Sequence, residues 1–224
     1  MWGRKCFVGK FLPSFKAYDV RGVVPTELNE EIAYDIGRAY ADQTGAKCVC
    51  IGYDIRLSGP SLYKSLARGL NEAGVDVVHL GVVGTEMVYF ATAFYHYDGG
   101  VMITASHNPP EYNGMKMVRE ESRPISGDTG LLDIEKRAHE KKWERKGSGN
   151  ISEKDCYDDF IDHLLRLVPA NELAPLDIIA SPGNGAAALP LDKLEAKLPI
   201  KLHGGQSRIV LLWCAMPCVN ISTD

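Results

Sequence analysis

The run GGVMITASHNPP, residues 99–110, decides the fold of this chain. Its apolar half, residues 100–103, predicts a short buried strand, and the half with asparagine and proline predicts a loop. Such a loop can present Ser106 at the end of a sheet, with the imidazole of His107 beside it, where covalent catalysis commonly places its nucleophile. A second interpretation stays open at this point, in which the serine hydroxyl only caps a backbone amide in a turn.

Predicted strands and helices alternate on both sides of this run. The pattern predicts a helix at 29–44, a strand at 47–53, a helix from Ser58 and Pro60 to Gly74, a strand at 75–80, a helix at 85–95, a turn at 112–114 and a return strand at 115–118. This alternation predicts an α/β fold with a mixed, mainly parallel sheet and flanking helices. Ligands of such sheets collect at the carboxyl ends of the strands, where this order places Asp54, Arg56 and Ser106.

The second half of the chain predicts a new unit. Residues 139–152 form a polar run with lysines and glycines, which is typical of a solvated linker. Beyond it the pattern predicts a helix at 153–168, a strand at 176–180, a glycine-rich loop at 181–185 and a helix at 186–197. We therefore predict a first domain at residues 13–147, the incomplete start of a second, similar domain at 151–202, and an aberrant tail at 203–224.

The composition is that of an ordinary globular protein. The 224 residues are 45% hydrophobic and 24% charged, and the net charge of −4 offers no basic field for nucleic acid. No window approaches the roughly 18 apolar residues of a membrane span. The first ten residues lack the apolar core and cleavage site of a secretory leader. We therefore expect a cytoplasmic protein without nucleic-acid or membrane partners.

The segment from Gly99 to Lys116 closely resembles the active-serine loop of the α-D-phosphohexomutases, the family of phosphomannomutases and phosphoglucomutases. Other segments resemble the family's motifs in the family's order: FKAYDVRG at 15–22, GYDIRLS at 52–58 and GNGAA at 183–187. Within the family, GTE at 84–86 and RPISGDTG at 123–130 look most like bacterial phosphomannomutases that supply GDP-mannose for surface polysaccharide. The resemblance implies that residues 13–147 are the first domain of a phosphohexomutase.

The resemblance implies an isomerase that interconverts mannose 6-phosphate and mannose 1-phosphate through a phosphoserine and a bisphosphate intermediate. It makes Ser106 the phosphoserine and places Arg21 and Lys116 among the charged groups around it. It gives His107 the role of orienting the serine loop or sharing a phosphate contact, and it places Tyr18 and Arg21 at the substrate. The implied cofactors are Mg²⁺, bound through the phosphate of Ser106, and a hexose 1,6-bisphosphate activator. Phosphoryl transfer depends mainly on positioning and charge neutralisation, so the cations matter as much as the serine.

Several of these residues have a structural alternative. Arg21 can form a surface salt bridge, and Lys116 can be a solvated residue of a strand whose neighbours face the core. For Asp54 and Arg56 we expect the structural role, an ion pair that braces the turn between a strand and a helix.

The sequence departs from the family's pattern in its second half. It lacks the aspartate-rich magnesium loop, the sugar-recognition loop and the phosphate clamp of the later domains, and one phosphate oxygen alone would bind Mg²⁺ weakly. The resemblance stops after Lys201, so we expect a frameshift near residue 200, and residues 1–12 suggest a mis-set start. We therefore expect a C-terminally truncated mutase whose isolated 224-residue chain is inactive.

Other functional interpretations stay open beside the phosphomannomutase. One is a glucose-directed or dual-specificity mutase. The other is a non-catalytic remnant that binds phosphosugar weakly or associates with an intact mutase. An incomplete second domain leaves a sheet edge and an apolar face uncovered, which predicts self-association.

Overall fold

The structure, a computed structural model, describes residues 12–181 and 185–203. The strands are β1 (Val20–Val23), β2 (Cys48–Tyr53), β3 (Asp76–Val82), β4 (Gly99–Ile103), β5 (Tyr112–Arg119), β6 (Ile151–Glu153), β7 (Leu176–Ile179) and β8 (Ile200–His203). The α-helices are α1 (Glu30–Thr44), α2 (Gly59–Glu72), α3 (Thr85–Phe94), α4 (Leu131–Glu140), α5 (Tyr157–Leu167) and α6 (Ala188–Glu195). Short 3₁₀ helices lie at Glu120–Ser122, Gly127–Thr129 and Ala170–Glu172.

Six strands form one sheet in the order β1-β5-β4-β2-β3-β6. The strands β4, β2, β3 and β6 run parallel to one another, whereas β5 is antiparallel to both β4 and β1. The predicted α/β fold with a mixed, mainly parallel sheet is therefore confirmed.

Helices cover the sheet on both faces. Along β2, Val49 and Ile51 belong to one buried cluster together with side chains of α1, α2 and α4. Cys50, between them, belongs to a second cluster with side chains of α3 and α5. Because successive strand residues face opposite sides, this alternation makes the domain a three-layer α/β/α structure.

The return strand begins earlier than predicted. Residues 112–114, predicted as a turn, are the first part of β5 and pair with β1 in the register Val23↔Tyr112 to Arg21↔Gly114. At Gly114 an added Cβ would lie 2.2 Å from the carbonyl oxygen of Val20, so only glycine allows this close approach of the strands. Pairing with a distant strand overrides the local turn signal.

The polar run at 139–152 is only partly irregular. It begins inside α4 and ends in β6, which pairs with β3 as the sixth strand of the sheet. Between these elements, the backbone amides of Glu144 and Arg145 each donate to the carboxylate of Asp42 at 2.9 Å, and the side-chain amide of Asn71 donates to the carbonyl of Gly149 at 2.6 Å. The run is thus fastened to the first domain, and the boundary between residues 147 and 151 stays a prediction.

The last described elements form a small unit. Strands β7 and β8 pair as a two-stranded parallel sheet, joined by α6. Residues 1–11, residues 182–184 of the predicted glycine-rich loop and residues 204–224 of the predicted tail lie outside the described residues. In the part of the chain that the structure describes, every helix is too short or too polar to cross a bilayer.

Candidate active site

Ser106 lies in an exposed loop just beyond the carboxyl end of β4. Its backbone is in the left-handed region, with φ 55°, which non-glycine residues adopt uncommonly and at a cost in free energy. Its Oγ lies 3.3 Å from Nδ1 of His107. The two residues predicted as nucleophile and neighbour are therefore side by side with the hydroxyl accessible.

A hydrogen-bond chain fixes the backbone in front of the hydroxyl. The amide of Ser106 donates to Oγ1 of Thr104 at 2.9 Å, and this hydroxyl donates to Oδ2 of Asp54 at 2.7 Å. Asp54 directly follows β2, and its own amide donates to the carbonyl of Ile103 at 3.1 Å. The ends of the neighbouring strands β2 and β4 thus share one polar network that reaches the candidate nucleophile.

Arg56 fixes the loop from its other side. Its guanidinium forms the predicted ion pair with Asp54, with Nε 3.3 Å from Oδ2. It also donates to backbone carbonyls of the serine loop, namely those of Ser106 at 2.9 Å, Asn108 at 2.7 Å, Pro109 at 2.7 Å and Tyr112 at 2.9 Å. The predicted ion pair is present, and the arginine extends beyond it to the loop.

The two predicted cations meet at one carboxylate. Asp19 Oδ2 accepts from Nη2 of Arg21 at 2.8 Å and from Nζ of Lys116 at 3.1 Å. The side chain of Asp19 is only 12% exposed, and Arg21 also donates to Oδ1 of Asn108 at 2.7 Å. The three charged groups carry a net charge of about +1 at neutral pH. The salt bridge considered for Arg21 exists, and Asn108 connects the same arginine to the serine loop.

Tyr18 stands at the surface beside this group. Its side chain is 80% exposed, next to Asp19 in the chain. The structure thus brings Ser106 together with His107, and Arg21 together with Lys116, while Tyr18 projects into solvent.

Sequence reasoning assigned no role to Asp19, Asn108 or Thr104. Asp19 contacts Lys116 across 97 residues of the chain, Asn108 contacts Arg21 across 87, and Thr104 contacts Asp54 across 50. Their position inside the motifs is the only sequence signal that points to them.

A magnesium site is not complete in the described residues. Within residues 12–181 and 185–203, no group of three or more His, Cys, Asp or Glu side chains is arranged to hold a metal ion. Magnesium prefers six oxygen ligands in octahedral geometry. Even with a phosphate on Ser106, these residues do not provide that set.

Comparisons with known proteins agree on one family. The family model for the phosphoglucomutase/phosphomannomutase α/β/α domain I matches residues 13–145. The phosphomannomutases of Salmonella typhimurium and Escherichia coli K12 are 48% identical over 190 residues and 46% over 191, which covers 84% of this chain and 42% of each relative. The phosphohexose mutases of Xanthomonas campestris are 45% identical over 85% of this chain and 43% of their own length. The chain thus spans less than half the length of these relatives.

Solved structures lead to the same family. A phosphoglucomutase/phosphomannomutase family protein from Burkholderia thailandensis superimposes with a TM-score of 0.79 at 34% identity, over 88% of this chain and 44% of that chain. A crystal structure described as a putative phosphomannomutase from Thermus thermophilus, at 24% identity and a TM-score of 0.68 over 84% of this chain and 45% of that chain, supports the fold alone. Since the family model covers more than half of the 224 residues, this chain belongs to the phosphoglucomutase/phosphomannomutase family.

Proposed function

We propose that this chain carries the phosphoserine domain of a phosphomannomutase, which interconverts mannose 6-phosphate and mannose 1-phosphate. One observation carries the proposal: Ser106 is exposed on a loop whose Asn108 bonds Arg21, and Arg21 shares the carboxylate of Asp19 with Lys116. The names of the Salmonella and Escherichia relatives support mannose as the sugar.

In the proposed reaction, the phosphoryl group passes from Oγ of Ser106 to a free hydroxyl of the hexose phosphate. The Oγ–P bond breaks, a sugar O–P bond forms, and the proton of the sugar hydroxyl passes to Oγ of Ser106. The hexose 1,6-bisphosphate then turns and gives its other phosphoryl group back to Ser106. His107, whose Nδ1 lies 3.3 Å from Oγ, would bond the serine hydroxyl in the dephosphorylated state and a phosphate oxygen afterwards.

The cations supply the charge that this transfer needs. A serine phosphate carries a charge of about −1.5 to −2 at neutral pH, more than the single charge of Asp19. Arg21 can hold two phosphate oxygens through its planar fork, and Lys116 acts as a compact point charge. We infer that phosphorylation draws both cations from Asp19 toward the phosphate. The exposed ring of Tyr18 would contact the sugar phosphate, together with Arg21.

The cofactors belong to the same proposal. Magnesium, when bound, would neutralise phosphate charge, and a hexose 1,6-bisphosphate would recharge Ser106. Because the described residues offer no complete ligand set for Mg²⁺, we propose that the isolated chain has no steady mutase turnover. A cytoplasmic location and a role in GDP-mannose supply complete the proposal.

A second candidate is a mutase of broader specificity that also acts on glucose phosphates. The relatives from Xanthomonas campestris, which are named phosphohexose mutases without one sugar, favour it. The two candidates share the chemistry of Ser106 and differ only in the sugar.

The test is an assay on the purified chain with Mg²⁺, hexose 1,6-bisphosphate and either mannose 6-phosphate or glucose 6-phosphate. We expect peptide mass spectrometry to find one phosphoryl group on Ser106, absent from Ser106→Ala, without continuous turnover. A folded chain that never acquires the group would overturn the proposed function. Turnover that Ser106→Ala abolishes would support the reaction and overturn the expected inactivity. The sugar phosphate that takes the phosphoryl group from Ser106 faster, even in a single transfer, decides between the two candidates.

We also propose that the chain self-associates through the sheet β7–β8. Leu176 and Ile179 on β7 are 54% and 87% exposed, a large apolar area for so small a unit.

A further inference from the structure

The backbone of Ser106 is held at both of its polar groups by the end of β2. Its amide reaches Asp54 through the hydroxyl of Thr104, over steps of 2.9 and 2.7 Å. Its carbonyl accepts from Nη2 of Arg56 at 2.9 Å, and Arg56 is paired with the same Asp54. The amide and the carbonyl of Ser106 are thus both connected to the ion pair of Asp54 and Arg56.

The guanidinium of Arg56 is almost fully used by the loop. Nη1 donates to the carbonyls of Pro109 and Tyr112, and Nη2 to those of Ser106 and Asn108. Its side chain is only 12% exposed, and Nε faces Asp54 without an aligned hydrogen bond. The four Nη donors are taken and Nε is buried against Asp54, so no accessible donor is left for a phosphate oxygen and the part of Arg56 in the reaction is indirect.

These contacts oppose a strained backbone. A serine with φ 55° relaxes toward negative φ unless its surroundings prevent it. We propose that Arg56 is a positioning residue, which holds Ser106 in this conformation and so aims Oγ for phosphoryl transfer. The inference rests on the proposed function for its chemistry and on the four carbonyl contacts for its geometry.

Lysine is the informative replacement. Arg56→Lys keeps the positive charge and the ion pair with Asp54, but one nitrogen with three donors cannot span four separated carbonyls. Arg68→Lys is the matched control, because Arg68 is exposed on α2 and stacks over Tyr34, far along the chain from the loop.

The first readout is hydrogen exchange of individual backbone amides in the 224-residue chain. We expect Arg56→Lys to speed exchange at the amides of Ser106, Asn108 and Tyr112 at least tenfold, while its β2 amides exchange as in the unsubstituted chain. In Arg68→Lys, the loop amides should also exchange as in the unsubstituted chain. Unchanged exchange in the loop would overturn the inference. Faster exchange throughout the sheet would overturn it as well, because the arginine would then serve general stability.

The second readout is the transfer of a phosphoryl group from hexose 1,6-bisphosphate to Ser106, followed by mass. The donor's P–O bond breaks, the Oγ–P bond forms and the serine proton passes to the sugar oxygen. We expect the initial rate to fall at least tenfold in Arg56→Lys, since misplacement of reacting atoms by about 1 Å can cost 10²-fold in rate. The donor concentration that gives half the maximal rate should change little. A normal rate would overturn the inference. If the unsubstituted chain takes no phosphate, the proposed function fails, and loop exchange still decides the role of Arg56.

If Arg56→Lys does not fold, the unsubstituted chain provides the test. Guanidinium groups that bond several fixed acceptors rotate slowly, so nuclear magnetic resonance should resolve separate Nη protons for Arg56. Averaged Nη signals, like those expected of exposed Arg68, would overturn the inference.

Discussion

Among single residues, Asp19 sets the resting state of the candidate site, because it is the shared partner of Arg21 and Lys116. Asp19→Asn removes the negative charge and leaves two partly covered cations facing each other. Hydrogen bonds to charged groups contribute about 1.5–3 kcal/mol, so we expect the free energy of unfolding to fall by about that amount. Urea denaturation measures it.

The control for this change is Asp128→Asn, an identical substitution at an exposed position in a short 3₁₀ helix. It should leave the unfolding free energy within about 0.5 kcal/mol of the original value. Equal effects of the two substitutions would show that the carboxylate of Asp19 does not stabilise the fold.

Candidate site residues could be predicted only where they lie within an uninterrupted sequence motif. Ser106 and His107 are adjacent in the sequence, and Arg21 and Lys116 lie in the motifs at 15–22 and 99–116, although the roles of all four stay predictions. The contacts of Arg56 could not be predicted, because their acceptors are main-chain carbonyls, which every residue carries. The ion pair with Asp54 could be predicted, since the two opposite charges lie two residues apart in one turn.

Among the elements, α1 has first and last residues that could be predicted to within one position, because capping residues mark both ends. Asn29 caps it, with Oδ1 accepting from the amide of Ile32 at 3.0 Å, and Gly45 ends it in the left-handed conformation. We expect Asn29→Ala to lower the unfolding free energy by about 1 kcal/mol, whereas Asn29→Asp retains the acceptor and most of the stability. Equal losses in urea denaturation of the two variants would contradict the capping role.

The start of β5 shows the opposite case. Residues 112–114 carry a local turn signal, and what decides their conformation is the close backbone approach of β1 at Gly114, from a segment more than 90 residues earlier in the chain. Pairing between distant strands leaves no local signature, so this boundary could not be predicted from the sequence.

Strand β3 carries a group that links folding to pH. His79 stacks on Tyr63 and Tyr53, with ring centroids 4.1 and 5.5 Å away, and Glu153 lies 3.8 Å from its Nδ1. Burial lowers the pKa of His79, against the weaker opposite effect of Glu153. The unfolded chain therefore binds this proton more readily, and the stabilisation is present above about pH 6.5 and lost as the pH falls through the lowered pKa.

We therefore expect His79→Phe to reduce the loss of unfolding free energy between about pH 7.5 and pH 5.5, because phenylalanine keeps the stack and takes no proton. Urea denaturation at both pH values measures the difference. His96→Asn is the control, since His96 is exposed in a left-handed conformation that asparagine tolerates. If His79→Phe left the pH dependence of the unfolding free energy unchanged, that dependence would come from other groups.

At the scale of the whole molecule, the small sheet β7–β8 carries the surface through which we propose that copies of the chain associate. Ile179 is 87% exposed, and a lysine there would charge the apolar surface proposed for self-association. We expect sedimentation velocity to show association that increases with concentration and that Ile179→Lys weakens. Asn171→Lys adds the same charge at an exposed position outside β7 and should leave the association unchanged. A single monomer peak at every concentration of the unsubstituted chain would contradict the proposal.

The extent of the first domain is the larger question at this scale. The predicted boundary ends it at residue 147, yet β6 pairs with the edge of β3, and Phe160 and Ile161 of α5, 8% and 0% exposed, share a cluster with α3. Burying two such side chains contributes about 1.5–3 kcal/mol each. A chain ending at residue 147 would lose both and leave the edge of β3 open to other chains.

We therefore expect a chain of residues 1–168 to unfold cooperatively with nearly the full stability of the first domain. A chain of residues 1–147 should be less stable by about 3 kcal/mol or more and prone to aggregate. Urea denaturation followed by tryptophan fluorescence compares them, because Trp143 is present in both and packs against the main cluster. If the shorter chain were equally stable and monomeric, the boundary predicted from the sequence would be right, and β6 and α5 would only rest on a domain that is complete without them.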